Sequence, residues 1–224
     1  GKGVDALLYR QIWEQGWRRG YRWAEAGWIL EDNQLMINGL ERLGWQVEVV
    51  DGHERDHFDD CNPLYVLSLD AEGRVVGTLR LLQTTGPTML GSVFKELLPE
   101  GLTIRSPIVW ESTRFCVDTD RALDVAPSGL NLVTGELLST LLEVGLYAGL
   151  SHIVTVIDVR MERILRRSLC PIERLAEPKK IGGVPSLAIL MECSEETVAR
   201  VHDKNGIPRP CIAGEDAARL GLAA

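Results

Sequence analysis

Charged side chains recur beside strand-like apolar runs in the first half of the chain, and their types suit proton transfer and ion pairing. The residues of interest are Asp56, Asp59, Arg80, Glu111 and Arg114. A carboxylate can take a proton from an amine or hold a cation, and an arginine can grip a carboxylate in a fixed fork. Because these residues stand at the ends of predicted strands and on one predicted hairpin, we predict that they converge on a single polar pocket.

A second pattern, His53-Glu54-Arg55-Asp56-His57, matches the H-E-x-x-H sequence of zinc peptidases. That chemistry requires both histidines on one face of a helix, one turn apart, with a third ligand further along the chain. The flanking residues at 51–52 and 58–63 are rich in glycine, proline, asparagine and aspartate, which favour a loop. Neither His152 nor His202 stands at a usual third-ligand spacing, although a carboxylate could supply that ligand. We therefore expect no metal at this segment.

The elements that must position the charged residues follow from the spacing of apolar side chains. Helical spacing predicts helices at 4–20, 33–43, 88–98, 129–148 and 159–169, and from 194 onward. Alternating or β-branched runs predict strands at 21–30, 45–49, 64–69, 74–82, 108–117, 153–157 and 187–192. A central hairpin followed by strand–helix–strand–helix–strand indicates an α/β fold, a three-layer α/β/α sandwich with a mixed central sheet. We predict one domain over residues 1–224, with a loose tail at 208–224.

The composition excludes several classes of function. The chain has 224 residues, a formal net charge of −8 and a pI near 5.1, which argues against broad binding to nucleic acid or anionic membranes. We find no apolar run of the roughly 18 residues needed to span a bilayer, and no signal peptide at the start. The five cysteines are widely spaced, without a C-x-x-C pair. They favour free thiols in a reducing cytoplasm.

The stretch from Trp45 to Phe115 resembles the acyl-homoserine-lactone synthases, the autoinducer synthases of bacterial quorum sensing. The matching pieces are Leu43-Gly44-Trp45, Gly52-x-Glu54-x-Asp56-x-Phe58-Asp59, Gly77-x-x-Arg80-Leu81, Thr88-Met89-Leu90 with Phe94, Glu111-x-x-Arg114-Phe115, Val154-Thr155-Val156 and Met161-Glu162-Arg163-Ile164-Leu165-Arg166-Arg167. These pieces extend the resemblance over about residues 45–195, and their shared order is more specific than any one piece. The fold of that family is related to the N-acetyltransferases, so the resemblance implies an N-acetyltransferase-like sandwich.

The resemblance also implies a reaction and its partners. The amine of S-adenosylmethionine would attack the thioester of an acyl-acyl carrier protein. The methionyl carboxylate would then close the lactone and release methylthioadenosine. S-adenosylmethionine enters as a substrate, and no cofactor is expected. The sequence leaves open the acyl chain and whether carrier protein or CoA is the donor.

The charged residues take specific roles in that reaction. Glu111 is expected to act as the base, because an amine must lose a proton to become a nucleophile. Asp56 and Asp59 would hold the positive charge of the substrate, and Arg80 and Arg114 would grip carboxylates of substrate or protein. Each of these residues also has a simpler interpretation as a member of a structural ion pair.

Aromatic and hydroxyl side chains would complete the pocket. Trp45 would supply an aromatic wall for the adenosyl or sulfonium group, and Phe94 and Phe115 would shape the cavity. Thr155 could offer its hydroxyl to the acyl chain, since a threonine there accompanies 3-oxo chains in the family. The oxyanion donors are expected among backbone N–H groups near a strand irregularity. Alternatively, these side chains are simply parts of the core.

A basic patch on this acidic chain is a candidate docking surface for the acyl carrier protein. Its residues are Arg160, Arg163, Arg166, Arg167, Lys179 and Lys180. Carrier proteins are acidic, so charge complementarity would favour the encounter. An ordinary solvated helix face explains the same residues equally well.

The segment before Trp45 departs from the family. The family usually carries an arginine and a phenylalanine ten and six residues before this tryptophan, and here those positions are Leu35 and Gly39. Residues 1–44 look more like part of an ordinary N-acetyltransferase. This departure keeps two alternatives open, an acyl-CoA-dependent N-acyltransferase and a non-catalytic carrier-protein-binding module. The first usually has an R/Q-x-x-G-x-G/A run for the CoA pyrophosphate, and we find none after a central strand.

Overall fold

The computed structural model describes residues 48–50 and 53–212, with side chains from residue 56 onward. The predicted elements at 4–20, 21–30 and 33–43 lie outside these residues. So do the predictions for Trp45, Leu35 and Gly39.

Strands form where the sequence alternates or is β-branched. They are β1 (Glu48–Val50), β2 (His53–Arg55), β3 (Leu64–Leu69), β4 (Val75–Gln83), β5 (Val109–Val117), β6 (His152–Asp158), β7 (Ile172–Arg174), β8 (Lys179–Ile181) and β9 (Val184–Glu192). β1 and β2 form a separate antiparallel pair. The others form one sheet in the order β3-β4-β5-β6-β9-β7, with β8 also paired to β9. Its pairings are antiparallel except for β5 with β6, which confirms the predicted mixed sheet.

The described α-helices begin at residues whose side chains accept hydrogen bonds from the first turn. They are α1 (Met89–Ser92), α2 (Leu132–Tyr147), α3 (Val159–Arg167) and α4 (Glu195–Asn205), with 3-10 helices at His57–Asp60 and Lys95–Leu97. Asn131, Asp158 and Ser194 cap the three longer helices with their side chains, which supplies acceptors for N–H groups that have no partner within the helix. Among the described residues, we find no helix long and apolar enough to cross a membrane.

Two apolar cores lie on opposite faces of the sheet and define its layers. The larger core packs α2, α3 and α4 against side chains such as Leu79, Ile153 and Ile157. The smaller core packs the short helices against the other face, including Leu82 and Val154. Neighbouring residues of β6 therefore enter different cores, which explains why residues 153–157 are all β-branched.

Two predicted elements differ from the structure. The helix predicted at 88–98 is two short pieces, α1 and Lys95–Leu97, because the chain leaves α1 after one turn and tightens into a 3-10 helix. The predicted loose tail is partly held down. Within 208–212, Cys211 donates its backbone N–H to Glu143 at 2.7 Å and Arg209 pairs with Glu195 at 2.5 Å. Residues 213–224 lie outside the described part.

Candidate active site

Two buried aspartates and one fully buried arginine form the centre of the site. The Nη1 atom of Arg80 lies 2.8 Å from Asp56 Oδ1 and 2.5 Å from Asp59 Oδ1. The two aspartates belong to a capping box on the 3-10 helix His57–Asp60, in which Asp56 donates its backbone N–H to Asp59. The hydrogen bonds of that box help to orient both carboxylates towards Arg80. The structure thus brings together three of the predicted pocket residues.

Arg80 is anchored along its whole guanidinium group. Its side chain is 0% exposed, and its Nε donates to Thr113 Oγ1 at 2.9 Å. The guanidinium also lies 5.7 Å from the centre of the Phe58 ring, a separation at which cation–π attraction acts. Burial alone would lower the pKa of Arg80, but the hydrogen bonds and charges of Asp56 and Asp59 outweigh it and raise that pKa. Arg80 therefore stays positively charged and belongs to the structural framework of the site.

A β-bulge in β5 brings Arg114 into the same cluster. Thr78 pairs with Cys116 and Arg80 with Thr113, so two residues of β5 face one residue of β4. Arg114 lies in this bulge with a φ of 51°, a left-handed conformation that is uncommon for residues other than glycine. In a regular strand, residues three apart point to opposite faces. The bulge instead places Arg114 against Asp56, on the same face as Glu111.

Asp56 links the two arginines. Its Oδ2 lies 2.8 Å from Arg114 Nη2, while its Oδ1 contacts Arg80. Burial would raise the pKa of Asp56, but hydrogen bonds from Arg80 and the charges of both arginines lower it below its usual value. Burial likewise opposes the charge of Arg114, and the charges of Asp56 and Asp59 raise its pKa. Since Asp56, Asp59, Arg80 and Arg114 carry equal numbers of opposite charges, the cluster is neutral overall.

Glu111 is buried on the same face of the sheet and holds the start of α1. Its two carboxylate oxygens accept the backbone N–H groups of Met89 at 2.8 Å and Leu90 at 2.6 Å. Burial raises the pKa of Glu111 to about 7, against the two N–H donors and the charge of Arg80, which lower it. A carboxylate of this pKa exchanges protons near neutral pH. Met89 also contacts Arg80 through its sulfur at 3.5 Å, which joins Glu111 to the ion cluster.

The sheet opens beside Glu111. β5 and β6 pair only at Val109–Ser112 with His152–Thr155, although both strands run further. A small cavity lies towards the start of β5, where Thr84 donates to the backbone oxygen of Val109. It is lined by Thr84, Thr88, Leu90, Gly91, Leu98, Ile104 and Val154. Val154 is the register partner of Glu111 on β6. The shared pairing therefore ends one residue beyond Glu111, the buried acid whose pKa is raised to about 7.

The predicted aromatic and hydroxyl residues divide between the two faces of the sheet. Phe94 is buried in the smaller core, together with Leu90. Phe115 is buried in the larger core beneath α2. Thr155 is 1% exposed and pairs with Ser112 and Ile189. Phe94 thus shares the face of Glu111, whereas Phe115 lies across the sheet from it.

The predicted docking residues are mostly exposed, and several have partners. Arg160 and Arg163 are exposed on α3. Arg166 bonds Glu162 at 2.8 Å, and Arg167 donates to the backbone oxygen of Ser128 at 2.8 Å. On β8, Lys179 donates to the backbone oxygen of Glu96, and Lys180 is exposed. Arg160 and Arg163 are the clearest candidates for contact with a partner.

Sequence reasoning missed two side chains of the cluster. Tyr65 donates its hydroxyl to Asp59, and Thr113 accepts from Arg80. Both residues pair with Arg80 across the sheet, one on β3 and one on β5. A register prediction for the hairpin could have found Tyr65, but the bulge hides the register of Thr113.

The H-E-x-x-H segment is not a helix. Its first three residues form β2, Asp56 caps the following turn, and His57 begins the 3-10 helix His57–Asp60. Asp56 is committed to the two arginines. The two histidines therefore do not share a helical face, as the zinc-peptidase arrangement requires.

Comparison with known proteins agrees with this arrangement. The sequence profile of the family described as autoinducer synthase matches residues 38–201. An acyl-homoserine-lactone synthase from Agrobacterium fabrum is 42% identical over 147 residues, covering 66% of this chain and 70% of that protein. The crystal structure of the AHL synthase LasI superposes with a TM-score of 0.65 at 30% identity, over 79% of this chain and 88% of that one.

A further solved structure, TofI in a ternary complex with an inhibitor and MTA, has a TM-score of 0.59 at 28% identity, over 80% of this chain and 89% of that one. The matched region contains every charged residue of the cluster and Glu111. On this sequence and fold agreement, the chain belongs to the autoinducer synthase family and is an acyltransferase of the acyl-homoserine-lactone synthase type.

Proposed function

We propose that this enzyme makes an N-acyl-homoserine lactone from S-adenosylmethionine and an acyl-acyl carrier protein, with no cofactor. The amine of S-adenosylmethionine attacks the thioester carbon, an amide bond forms, and the C–S bond to the carrier breaks. The methionyl carboxylate then attacks its own γ-carbon, closing the lactone as the sulfonium C–S bond breaks and methylthioadenosine leaves. The observation that carries the proposal is the buried carboxylate of Glu111, which the backbone N–H groups of Met89 and Leu90 hold in place, in a chain of the autoinducer synthase family. Burial raises the pKa of this carboxylate to about 7.

Glu111 serves as the base in this proposal. The carboxylate has about four lone-pair positions, and the N–H groups of Met89 and Leu90 occupy two of them. The other positions can accept the ammonium proton of the substrate, directly or through one water. The two N–H donors also fix the orientation of the carboxylate, so it needs no rearrangement when the substrate arrives.

The ion cluster positions the substrate through its arginines instead of binding the sulfonium through its aspartates. Asp56 and Asp59 already neutralise Arg80 and Arg114, which leaves little negative charge for a substrate cation. A guanidinium has five N–H donors, and Asp56 takes only some of those on Arg114. Arg114 is 12% exposed, so we assign it to the methionyl carboxylate. Arg80, with no exposed surface, holds the acidic loop in place.

The oxyanion would be held where β5 and β6 separate. Beyond Ser112 and Thr155 the two strands no longer pair with each other, so backbone groups there can turn toward a substrate. Preorganised N–H donors at a developing oxyanion commonly contribute a factor of roughly 10²–10³ in rate. The thioester carbonyl would lie at this opening, close to Glu111, with the acyl chain entering between the strands towards Thr155.

We assign the role of acyl donor to acyl carrier protein because its acidic surface would complement exposed positive charge on the enzyme. Arg160 and Arg163 present exposed positive charge on an acidic enzyme, which suits an acidic protein partner. An acyl-CoA donor is the competing assignment, since its phosphates would also meet these arginines.

The test supplies purified enzyme with S-adenosylmethionine and the same acyl group on carrier protein or on CoA. Mass spectrometry then quantifies lactone and methylthioadenosine. We expect both products in equal amounts and a higher kcat/KM with carrier protein. Lactone without methylthioadenosine, or no lactone from either donor, would refute the reaction. Faster turnover with acyl-CoA would refute only the donor.

A further inference from the structure

A carboxylate, an imidazole and a thiol converge on the face of the sheet opposite Glu111. Glu143 comes from α2, His202 from α4 and Cys211 from the segment after α4. One potential ligand atom from each residue lies within 4.8 Å of the other two. Glu143 and His202 are buried, with 0% and 1% of their surface exposed, and Cys211 is half-buried. None of the three takes part in the proposed reaction.

The hydrogen bonds of His202 leave one of its ring nitrogens available as a metal ligand. The Nδ1 atom of His202 lies 3.1 Å from the backbone oxygen of Ile207 and 3.9 Å from the sulfur of Cys211. Among the described residues, the other ring nitrogen, Nε2, is buried and has no hydrogen-bond partner. Such an unsatisfied buried nitrogen is costly unless it has a ligand that the hydrogen-bond network does not supply. This observation is independent of the convergence of the three side chains.

Glu143 could also bind a metal ion without breaking its shortest hydrogen bond. One oxygen accepts the Cys211 backbone N–H at 2.7 Å, and the other lies 3.6 Å from Arg209 Nε and 3.3 Å from the Tyr147 hydroxyl. Arg209 has a shorter ion pair with Glu195, at 2.5 Å. A cation at Glu143 would therefore displace only the longer contact, and Arg209 would keep its partner.

We infer that Glu143, His202 and Cys211 form a structural site for one Zn²⁺ ion. Sulfur, nitrogen and carboxylate oxygen are the ligand types that zinc takes, at about 2.3 Å for sulfur and about 2.0–2.2 Å for the other two. Tetrahedral geometry then requires roughly 3.3–3.7 Å between ligand atoms. Because the ligand atoms lie within 4.8 Å of one another, each pair must close by at most about 1.5 Å. Binding replaces the thiol proton of Cys211, which leaves to solvent. A water molecule completes the fourth position.

The site would fasten the segment after α4 to the helical layer. Its three ligands come from α2, α4 and the segment that contains Cys211, and a single ion would link them. Because α2 and α4 pack in the core opposite Glu111, the ion would stabilise the fold without entering the reaction. The inference stands whether or not the proposed reaction is correct.

Zinc binding can be measured directly on the full chain. Protein stripped of metal with a chelator is titrated with ZnCl₂ in competition with a chromophoric chelator. Separately, Co²⁺ is added to look for the near-ultraviolet charge-transfer band of a cobalt–thiolate bond. We expect one Zn²⁺ per chain and that band. We also expect Zn²⁺ to slow alkylation of Cys211, read by peptide mass spectrometry, without slowing that of Cys61.

Variants identify the ligands. Cys211→Ser and His202→Gln should each weaken Zn²⁺ affinity by at least about 10-fold, and Cys211→Ser should abolish the cobalt band. Cys61→Ser and His57→Ala are matched controls that should change neither, and the second excludes the H-E-x-x-H segment as the metal site. Absence of stoichiometric zinc, or zinc whose affinity and cobalt band survive Cys211→Ser, would overturn the inference. The alkylation assay on the unaltered protein decides the question if a variant does not fold.

Discussion

Replacement of Asp56 by asparagine should unbalance the buried ion cluster. The substitution keeps the shape of the side chain but removes one of two negative charges that face Arg80 and Arg114. Removing one partner of a buried ion pair commonly costs about 3–5 kcal/mol. Because Asp59 remains 2.5 Å from Arg80, we expect the lower end, about 3 kcal/mol. For a chain of this length that corresponds to a fall in Tm of roughly 6–12 °C.

Urea unfolding and thermal melting measure this loss. Asp60→Asn, at an exposed position of the same 3-10 helix, is the matched control and should stay within about 0.5 kcal/mol of the unaltered protein. The effect should also depend on pH. The folded pKa of Asp56 lies below 3.8, so its contribution is present above pH 3.8 and is lost as the pH falls through the folded pKa. The difference between the two proteins should therefore shrink in acid.

The reasoning would be wrong if Asp56→Asn cost less than about 1 kcal/mol at neutral pH. That result would mean that Asp59 alone neutralises both arginines, or that water reaches the cluster. A loss that stayed constant into acid would show that packing, and not charge, sets the stability at this position.

Three further predictions concern docking, a surface ion pair and the N-terminal segment. Charge reversal of Arg160 and Arg163 should raise KM for acyl-carrier protein at low salt, and the effect should fade as salt shortens the screening length below about 8 Å. Arg105→Glu, at an exposed site elsewhere, is the control. An unchanged KM would show that these arginines do not bind the carrier protein. Glu162→Gln should destabilise the protein in urea by up to about 1 kcal/mol at neutral pH, because both of its arginine partners are largely exposed. Hydrogen bonds from Arg174 outweigh the effect of burial and, together with those from Arg166, lower the pKa of Glu162 to about 2. The loss of stability should therefore disappear as the pH falls from 4.5 towards 2. A loss independent of pH would contradict this. Leu35→Arg with Gly39→Phe, the residue types that the family carries before Trp45, should tighten S-adenosylmethionine binding in calorimetry, and an unchanged affinity would show that these positions do not face the substrate.

Much of the fold is encoded locally and could be predicted from the sequence. The β-branched run of β6 and the apolar face of α2 specify their elements by composition alone. By contrast, β7 and β8 have three residues each and are largely exposed, so they carry too few side chains for a periodic pattern. They exist because β9 offers them a pairing edge, which is a tertiary property.

The candidate site was predictable as a set of residues but not as a geometry. Glu111 and Arg114 share a face only because a bulge with a left-handed residue interrupts β5. Arginine has no special preference for that conformation, so the sequence around it contains no signal for the bulge. The same limit applies to Asp56 and Asp59, whose charges suggested a cation site. The structure shows both bonded to arginine, a pairing that depends on long-range contacts.

The role of Glu111 as the base is the central claim, and Glu111→Gln tests it. The amide would turn an NH₂ group towards the backbone N–H of Met89 or Leu90, leaving one of them unsatisfied at a cost of about 1–3 kcal/mol. Burial places the folded pKa at about 7, above the ordinary 4.5, so ionisation of Glu111 lowers stability as the pH rises from 4.5 to about 7. The glutamine variant should lack that dependence. Its folded fraction must therefore be measured at each pH before rates are compared.

The deciding measurement is the single-turnover rate of acylation of S-adenosylmethionine as a function of pH, for the unaltered enzyme, Glu111→Gln and the exposed control Glu100→Gln. In the unaltered enzyme and the control, the rate should rise with pH and level off above about 7, as the carboxylate of Glu111 becomes available. In Glu111→Gln, the rate should fall by roughly 10²–10⁴ and lose that rise. A folded Glu111→Gln enzyme with near-normal rates and an unchanged pH profile would show that Glu111 only holds α1 in place, and the proposed chemistry would be wrong.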